Sequence, residues 1–246
     1  GQALAMLNQI RYIAGLDAGV TLNDTYTQMA QTGSMLNAAN NQLSHYPSRP
    51  SGMSDELYEL GYSGTSSSNI AMTSWRSSLL KSLMMWMDDS DSSNIDRLGH
   101  RRWILNPTMQ QTGFGYAVSN SGAAYSSVYV FDYDYHNTDV TGVAWPATEM
   151  PKRYFESSSA WSYSYGSSLN GNVNVKLQCL TTGRERTWNF SSAASDGYFN
   201  VDNGGYGQKG CVIFKPDSIS IQAGENYEVT ITQDGTVIAD YTVHFF

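Results

Sequence analysis

The hydrophobic pattern of the chain changes from helical spacing to strand-like alternation near residue 112. Helical spacing predicts a first helix over residues 2–16, a second after Asn23, a third over residues 68–87, and a short one that Pro107 ends. Residues 112–143 begin the change, and from Trp145 onward short alternating segments between turn residues predict strands only. A helical part followed by a strand-rich part indicates the α+β class.

We place two domains on this pattern, residues 1–143 and residues 144–246. Residues 46–68 are rich in serine, proline and glycine, which predicts a long loop with about one helical turn at residues 55–60. Closely spaced strands with frequent turns after residue 144 predict an antiparallel β-sandwich.

The charge balance limits the partners of this chain. Its 246 residues carry 22 Asp and Glu against 14 Lys and Arg, a net charge of −8. This acidity excludes a nucleic-acid binder that relies on phosphate contacts, and no apolar run reaches the roughly 18 residues of a transmembrane helix. Only 15% of residues are charged, while 17 are tyrosine, a composition more typical of an extracellular or cell-surface protein.

Two cysteines, Cys179 and Cys211, allow one disulfide and are too few for a four-cysteine zinc site. Cys179 ends one alternating segment and Cys211 begins another, both in the predicted β domain. Neighbouring strands can bring two Cβ atoms to the distance of about 3.8 Å that a disulfide needs. Because an extracellular setting keeps such a bond oxidised, we expect Cys179 and Cys211 to be bridged.

Two histidines of the helical half are the first candidate site residues, since the common catalytic signatures are missing. His45 follows the second predicted helix, and His100 begins the run HRRWILNP. Two imidazoles can bind a divalent metal such as zinc, with Asp88, Asp89 or Asp91 as a third ligand, or act as an acid and a base. By spacing alone, two histidines so far apart in sequence are most often unrelated.

Two further patterns have both a functional and a structural interpretation. One is an acidic group that forms either a second polar site or a solvated strand end: Asp132, Asp134 and His136. The other is an alternating aromatic group that forms either a flat sugar-binding platform or one packed face of a strand: Trp161, Tyr163 and Tyr165.

A set of residues between positions 86 and 115 carries a resemblance to a known family. The retained residues are Trp86, Met87, Ser90, Gly99, His100, Arg101, Ile104, Leu105, Asn106, Pro107, Gly113 and Gly115, with an insertion over residues 91–98. This stretch resembles the signature of the CAP superfamily, which groups cysteine-rich secretory proteins, antigen five and plant pathogenesis-related proteins. The resemblance covers residues 2–135 and is closest to bacterial secreted members. It implies a CAP-type α-β-α sandwich for this part of the chain. For residues 144–246 the strand pattern leads us to expect an immunoglobulin-like β-sandwich as the companion domain.

The same resemblance implies a cleft with two histidines and two acids. His45 and His100 match the histidines, and Asp89 matches the acid that follows the tryptophan-bearing helix. The second acid is a glutamate in the family, and Ser68 stands in its place here.

The function expected from this resemblance is binding. Glu56 or Glu59 could replace the missing carboxylate in space; otherwise an acid-base pair loses one partner. We therefore expect a non-enzymatic extracellular module whose cleft holds a divalent metal or a small ligand. Two alternatives stay open: a protease-like hydrolase that uses His45, His100 and Asp89, and a cell-wall or carbohydrate-binding protein that acts through the β domain. The expected partner is an extracellular ligand, a lipid, a cell-wall glycan or a host protein.

Overall fold

The computed structural model describes residues 1–132 and 140–246. Its helices are α1 Gln2–Ile13, α2 Asp24–Asn40, α3 Asp55–Ser66, α4 Leu79–Asp88 and α5 Gly99–Ile104. Its strands are β1 Thr21–Leu22, β2 Ser68–Thr73, β3 Gln111–Thr112, β4 Phe114–Val118, β5 Ala124–Tyr129, β6 Val143–Trp145, β7 Glu149–Met150, β8 Trp161–Ser164, β9 Val173–Cys179, β10 Arg186–Ser191, β11 Gly197–Asp202, β12 Cys211–Pro216, β13 Asn226–Gln233 and β14 Thr236–Phe245. Within these described residues, no helix is both long and apolar enough to cross a bilayer.

The chain forms two compact units, each assembled from separate stretches. The first contains Gly1–Gln9, Asp17–Trp86 and the described residues of Thr108–Thr138. The second contains Ile10–Leu16, Met87–Pro107 and the described residues of Asp139–Phe246. The stretch that carries Asp89 and His100 therefore belongs to the same unit as the C-terminal strands. The domain limits 1–143 and 144–246 stay a prediction.

An antiparallel sheet with helices on both faces organises the first unit. Its strand order is β2-β5-β4, and every residue of β5 is buried. The hydroxyl of Ser127 in β5 lies 2.9 Å from that of Ser34 in α2, and the hydroxyl of Ser126 lies 2.7 Å from that of Ser82 in α4. Because successive strand residues point to opposite faces, these contacts place α2 and α4 on opposite sides of the sheet. This is the α-β-α layering that the resemblance implied.

Helix α2 lies directly against the backbones of its neighbours. It begins where the Asn23 side chain accepts a hydrogen bond from the Tyr26 backbone N–H at 3.0 Å. A Cβ atom added to Gly115 of β4 would lie 2.0 Å from the Ala30 carbonyl oxygen of α2. One added to Gly64 of α3 would lie 1.9 Å from the Met29 carbonyl oxygen. The close approach of α2 to β4 and α3 thus requires glycine at both positions.

Residues 68–73 form a strand, which corrects the predicted third helix. β2 pairs with β5 over its whole length, and α4 begins only at Leu79. A short apolar run fits a buried helix or a buried strand equally well, and the pairing with β5 decides for the strand. Trp86 of α4 is buried, whereas Trp75, which precedes this helix, is 69% exposed.

The predicted loop between the second helix and β2 contains a full helix, α3. The Ser54 hydroxyl accepts a hydrogen bond from the Leu57 backbone N–H, and Asp55 and Glu56 follow in the first turn. Both features stabilise a helix N-terminus, so local capping outweighs the loop-like composition.

Two sheets of short strands characterise the second unit. One has the order β10-β9-β13-β14-β7 and the other β11-β12-β8-β6. Aromatic rings connect them: Trp161 of β8 lies 5.7 Å from Tyr227 and 5.9 Å from Phe245 between ring centroids. Trp161 is fully buried, so the alternating aromatic residues of β8 do not form an exposed platform. The immunoglobulin-like character of these sheets stays a prediction.

Both cysteines are buried free thiols, which corrects the predicted disulfide. Cys179 of β9 lies opposite Tyr227, a member of the aromatic core, and so faces the same side of its sheet. Cys211 belongs to the other sheet and lies three positions before the core residue Phe214, so it faces the other side and packs with Leu98. The two thiols therefore occupy different packing layers, which alternation within single strands does not reveal.

Candidate functional site

The candidate site includes Asp89, which caps the helix that carries His100. Leu98, the N-cap residue of α5, has a left-handed backbone (φ 48°) and supplies no side-chain cap. The Asp89 carboxylate takes over this role: it accepts hydrogen bonds from the backbone N–H of His100 at 2.9 Å and of Arg101 at 3.3 Å. A carboxylate at a helix N-terminus also interacts favourably with the helix dipole. The position of α5 therefore depends on an acid eleven residues away along the chain.

The same carboxylate orients the His100 ring. Asp89 Oδ1 lies 2.7 Å from His100 Nδ1, and the two side chains are 2% and 23% exposed. Donation from Nδ1–H to the carboxylate places the lone pair of the neutral ring on Nε2. A buried acid that holds a partly exposed imidazole in one tautomer is the arrangement found behind histidine bases and histidine ligands.

Arg101 anchors this segment inside the second unit. Its guanidinium is buried and donates to the carbonyl oxygens of Met87 at 2.7 Å, Asp88 at 2.7 Å and Ala160 at 2.7 Å. Burial lowers the pKa of Arg101 to about 10, and the nearby charges of Asp89 and Asp88 oppose that shift. Arg101 thus connects the residues just before Asp89 to Ala160, which directly precedes strand β8.

Arg102 makes an ion pair within the second unit. It contacts Asp202 and donates to the carbonyl oxygens of Gly204 at 2.6 Å and Gln208 at 2.7 Å. Because these acceptors belong to the second unit, both arginines fix the run around His100 within the strand-rich unit.

His45 lies in the first unit, where it is hydrogen-bonded to Thr65. Its Nδ1 lies 2.8 Å from the Thr65 carbonyl oxygen, and the Thr65 hydroxyl donates to the His45 carbonyl oxygen at 2.9 Å. Thr65 is a partner that sequence reasoning missed, since nothing in the spacing of residues 45 and 65 indicates contact. The prediction that His45 and His100 share one cleft stays a prediction.

Ser68, at the position of the missing family glutamate, is 4% exposed. Its hydroxyl is buried with no hydrogen-bond partner among the described residues. Glu56 and Glu59 are exposed on α3, and neither contacts this hydroxyl. The idea that one of them replaces the carboxylate therefore gains no support.

The described side chains that could bind a metal do not form a three-ligand site. Within residues 1–132 and 140–246, no group of three or more His, Cys, Asp or Glu side chains is placed to hold an ion. Zinc usually requires at least three protein ligands, and both Asp89 oxygens already accept hydrogen bonds from the His100 region.

Asp132 of the second candidate polar group has a structural role. Its carboxylate accepts hydrogen bonds from the backbone N–H groups of Gln110 and Gln111, both at 2.8 Å, and lies 3.3 Å from the Tyr26 hydroxyl. Asp134 and His136 lie outside the described residues.

Comparison with known proteins identifies the first part of the chain. The model of the cysteine-rich secretory protein family, CAP, matches residues 4–133. Among solved structures, an outer surface protein from Borrelia burgdorferi is 14% identical with a TM-score of 0.34, over 51% of this chain and 85% of that one. A likeness of that size supports no argument about fold or function. None of the curated proteins is similar enough to count as a match. The family model covers more than half of the residues and includes both candidate histidines and Asp89, so the chain belongs to the CAP family of cysteine-rich secretory proteins.

Proposed function

We propose that this chain is an extracellular binding module of the CAP family whose ligand contacts the His100 imidazole. The observation that carries the proposal is the Asp89–His100 pair, in which a buried carboxylate orients a partly exposed ring. In the neutral ring, Nε2 is a hydrogen-bond acceptor for a hydroxyl or amide group of a small ligand. The secretory character of the family and the composition of this chain support the extracellular location.

The burial of the Ser68 hydroxyl favours binding over catalysis. A buried hydroxyl, with no partner within residues 1–132 and 140–246, replaces a carboxylate that an acid-base pair would use. The proposal keeps two domains, residues 1–143 and an immunoglobulin-like 144–246, with a secreted bacterial protein as the setting.

The test is heteronuclear NMR of the histidine side chains during titration with soluble peptidoglycan fragments and, separately, phosphatidylcholine vesicles. We expect one probe to shift the His100 ring signals and His100→Ala to abolish its binding. The matched control is His244→Ala, because His244 also pairs with a carboxylate, Glu149 at 3.1 Å, but both side chains are exposed. Unchanged His100 signals with both probes contradict the proposal.

Zinc serves as a further probe of the same ring. Because both oxygens of Asp89 already accept hydrogen bonds, we expect a Kd for zinc no tighter than about 0.1 mM, a binding free energy of roughly −5.5 kcal/mol. Calorimetry that finds much tighter binding, lost in His100→Ala, would replace the small-ligand proposal with a metal site.

A hydrolase is the second candidate, because an Asp–His pair also serves general bases. Its test compares turnover of casein and of purified peptidoglycan by the full chain and by His100→Ala. Hydrolysis that disappears in His100→Ala but persists in His244→Ala would establish this candidate.

A further inference from the structure

Strand β14 has an open edge. It contains 10 residues and pairs with β13 along one side. On its other side, β7 pairs only with His244 and Phe245. Within residues 1–132 and 140–246, no backbone hydrogen bond reaches that side of residues 236–243. An edge of this kind is where an extended chain adds to a sheet as a further strand.

The backbone groups that face this edge follow from the alternation of the strand. The His244 N–H donates to the carbonyl oxygen of Thr148, on the β7 side, at 2.7 Å. Because residues two apart in a strand direct their N–H and C=O groups to the same side, those of Thr242 and Asp240 face the open edge. The backbone groups of Tyr241 face β13 instead.

The opposite outer strand of the same sheet, β10, has a protected edge. The Asn189 N–H donates to the Asp196 carboxylate at 2.8 Å, and the Asn189 carbonyl oxygen accepts from the Asp196 N–H at 2.9 Å. Lysine and proline also block edges in many proteins, and β14 contains neither. The edge of β14 is therefore free to pair.

A cavity of about 400 Å³ lies beside this edge, within the second unit. Ala239, Asp240 and Tyr241 form its β14 wall, and small residues of other segments contribute to its lining, among them Gly142 and Ala144. Asp240 is exposed, and Ala239 and Ala144 are half-buried. The cavity is therefore reached from solvent.

This cavity lies on the interior side of β14. Tyr241 alternates with the buried residues Val243 and Phe245, and its ring stacks on that of Tyr163 in β8, with 5.7 Å between the centroids. An added strand would direct every second side chain to this side. The small lining residues leave room there for an apolar side chain such as valine.

The outer face of β14 is acidic at the edge. The Asp240 side chain is exposed there and lies 3.5 Å from the hydroxyl of Thr230 in β13. Glu228 of β13 lies on the same face, whereas the basic residue Lys176 of β9 is two strands away from Asp240. Because cross-strand pairs of opposite charge are favourable, this face suits lysine or arginine on an added strand.

We propose that the open edge of β14 binds an extended peptide of a partner protein as an additional strand. An apolar side chain of the peptide enters the cavity, and a basic side chain on the alternate face pairs with Asp240. A second copy of this chain fits less well, because antiparallel pairing of two β14 edges brings both Asp240 carboxylates to one face of the joined sheet, where like charges repel. The site is independent of the function proposed for His100.

Calorimetry and amide hydrogen exchange on the full chain test this proposal with a synthetic peptide of about seven residues in which valine and lysine alternate. We expect a Kd of about 0.1 mM or tighter. The Thr242 and Asp240 amides should exchange rapidly in the free protein and about 10-fold more slowly with the peptide bound, whereas the Tyr241 amide should be protected in both states. The matched control peptide has the same composition with its valines and lysines in two blocks, and it should not protect these amides.

Two variants separate edge pairing from general charge attraction. Thr242→Pro removes an N–H that faces the open edge and leaves the pairing with β13 intact, so binding should weaken about 10-fold or more. Thr242→Val keeps this N–H and should bind normally. Asp240→Lys changes an exposed side chain and should shift the preference to a peptide in which glutamate replaces lysine.

His100→Ala should keep peptide binding, which separates this site from the function proposed above. The proposal is overturned if the alternating peptide leaves the Thr242 and Asp240 amides unprotected, or if Asp240→Lys binds the lysine peptide as tightly as the unmodified chain does. It is also overturned if these amides are already protected in a dimer of the free protein, since a second copy would then occupy the edge.

Discussion

Replacement of Asp89 by alanine removes the group that both caps α5 and orients His100. The carboxylate makes three hydrogen bonds, at 2.7 Å to the ring and at 2.9 Å and 3.3 Å to backbone N–H groups. It also lies near the buried guanidinium of Arg101. Its loss leaves the His100 and Arg101 N–H groups without their acceptor and Arg101 with less compensating charge.

The expected cost follows from these contacts. Hydrogen bonds to a charged group contribute about 1.5–3 kcal/mol each, and such values are not additive. Removal of one partner from a buried charged pair costs about 3–5 kcal/mol. We therefore expect Asp89→Ala to lower the free energy of unfolding by about 3–5 kcal/mol, and Asp89→Asn, which keeps one oxygen acceptor, by less.

Urea and thermal unfolding, followed by tryptophan fluorescence, measure this loss. For a chain of this length each kcal/mol corresponds to about 2–4 °C in the midpoint. The control is Asp96→Asn in the same segment, because Asp96 is 62% exposed and should change stability by about 0.5 kcal/mol or less. If Asp89→Ala costs no more than Asp96→Asn, the capping and orienting role assigned to Asp89 is refuted.

Three further predictions concern the interior of the two units. The thiols of Cys179 and Cys211 should resist alkylation until the protein unfolds, because both are buried and burial raises the pKa of Cys211. A thermal midpoint that falls when reductant is added would instead reveal a disulfide. Burial, reinforced by Glu225, raises the pKa of Tyr227, so the folded state holds this proton more tightly than the unfolded state does. The contribution of this proton to the free energy of unfolding is fully present below about pH 10 and declines as the pH rises through the pKa of the folded state. Spectrophotometric titration should show the last part of the tyrosinate signal appearing only together with unfolding, and full titration near pH 10 without loss of structure would contradict this. Gly115→Ala should lower the free energy of unfolding by about 3 kcal/mol or more, because the added Cβ would meet the backbone of α2. Gly205→Ala is the control in the same urea assay, since a Cβ at position 205 would have open space around it. Equal losses in the two variants would disprove the close-packing argument.

Local patterns were sufficient for much of the fold and for family membership. The alternation of residues 173–179 predicted β9 over its observed length, and helical spacing with an asparagine cap predicted α2. These features depend on periodicity and capping within a few residues, which the sequence contains directly. The residues around His100 likewise predicted the CAP family, because a motif is itself a sequence pattern.

Contacts between distant residues were decided only by the tertiary structure. The run at Ser68–Thr73 became a strand because β5 was available to pair with it. Asp89 and His100 were candidates by sequence, but the use of Asp89 as a helix cap follows from the left-handed turn at Leu98. The separation of the two cysteines depends on which faces of two sheets meet. Spacing along a strand determines that neighbours alternate between faces, but only packing determines what each face touches.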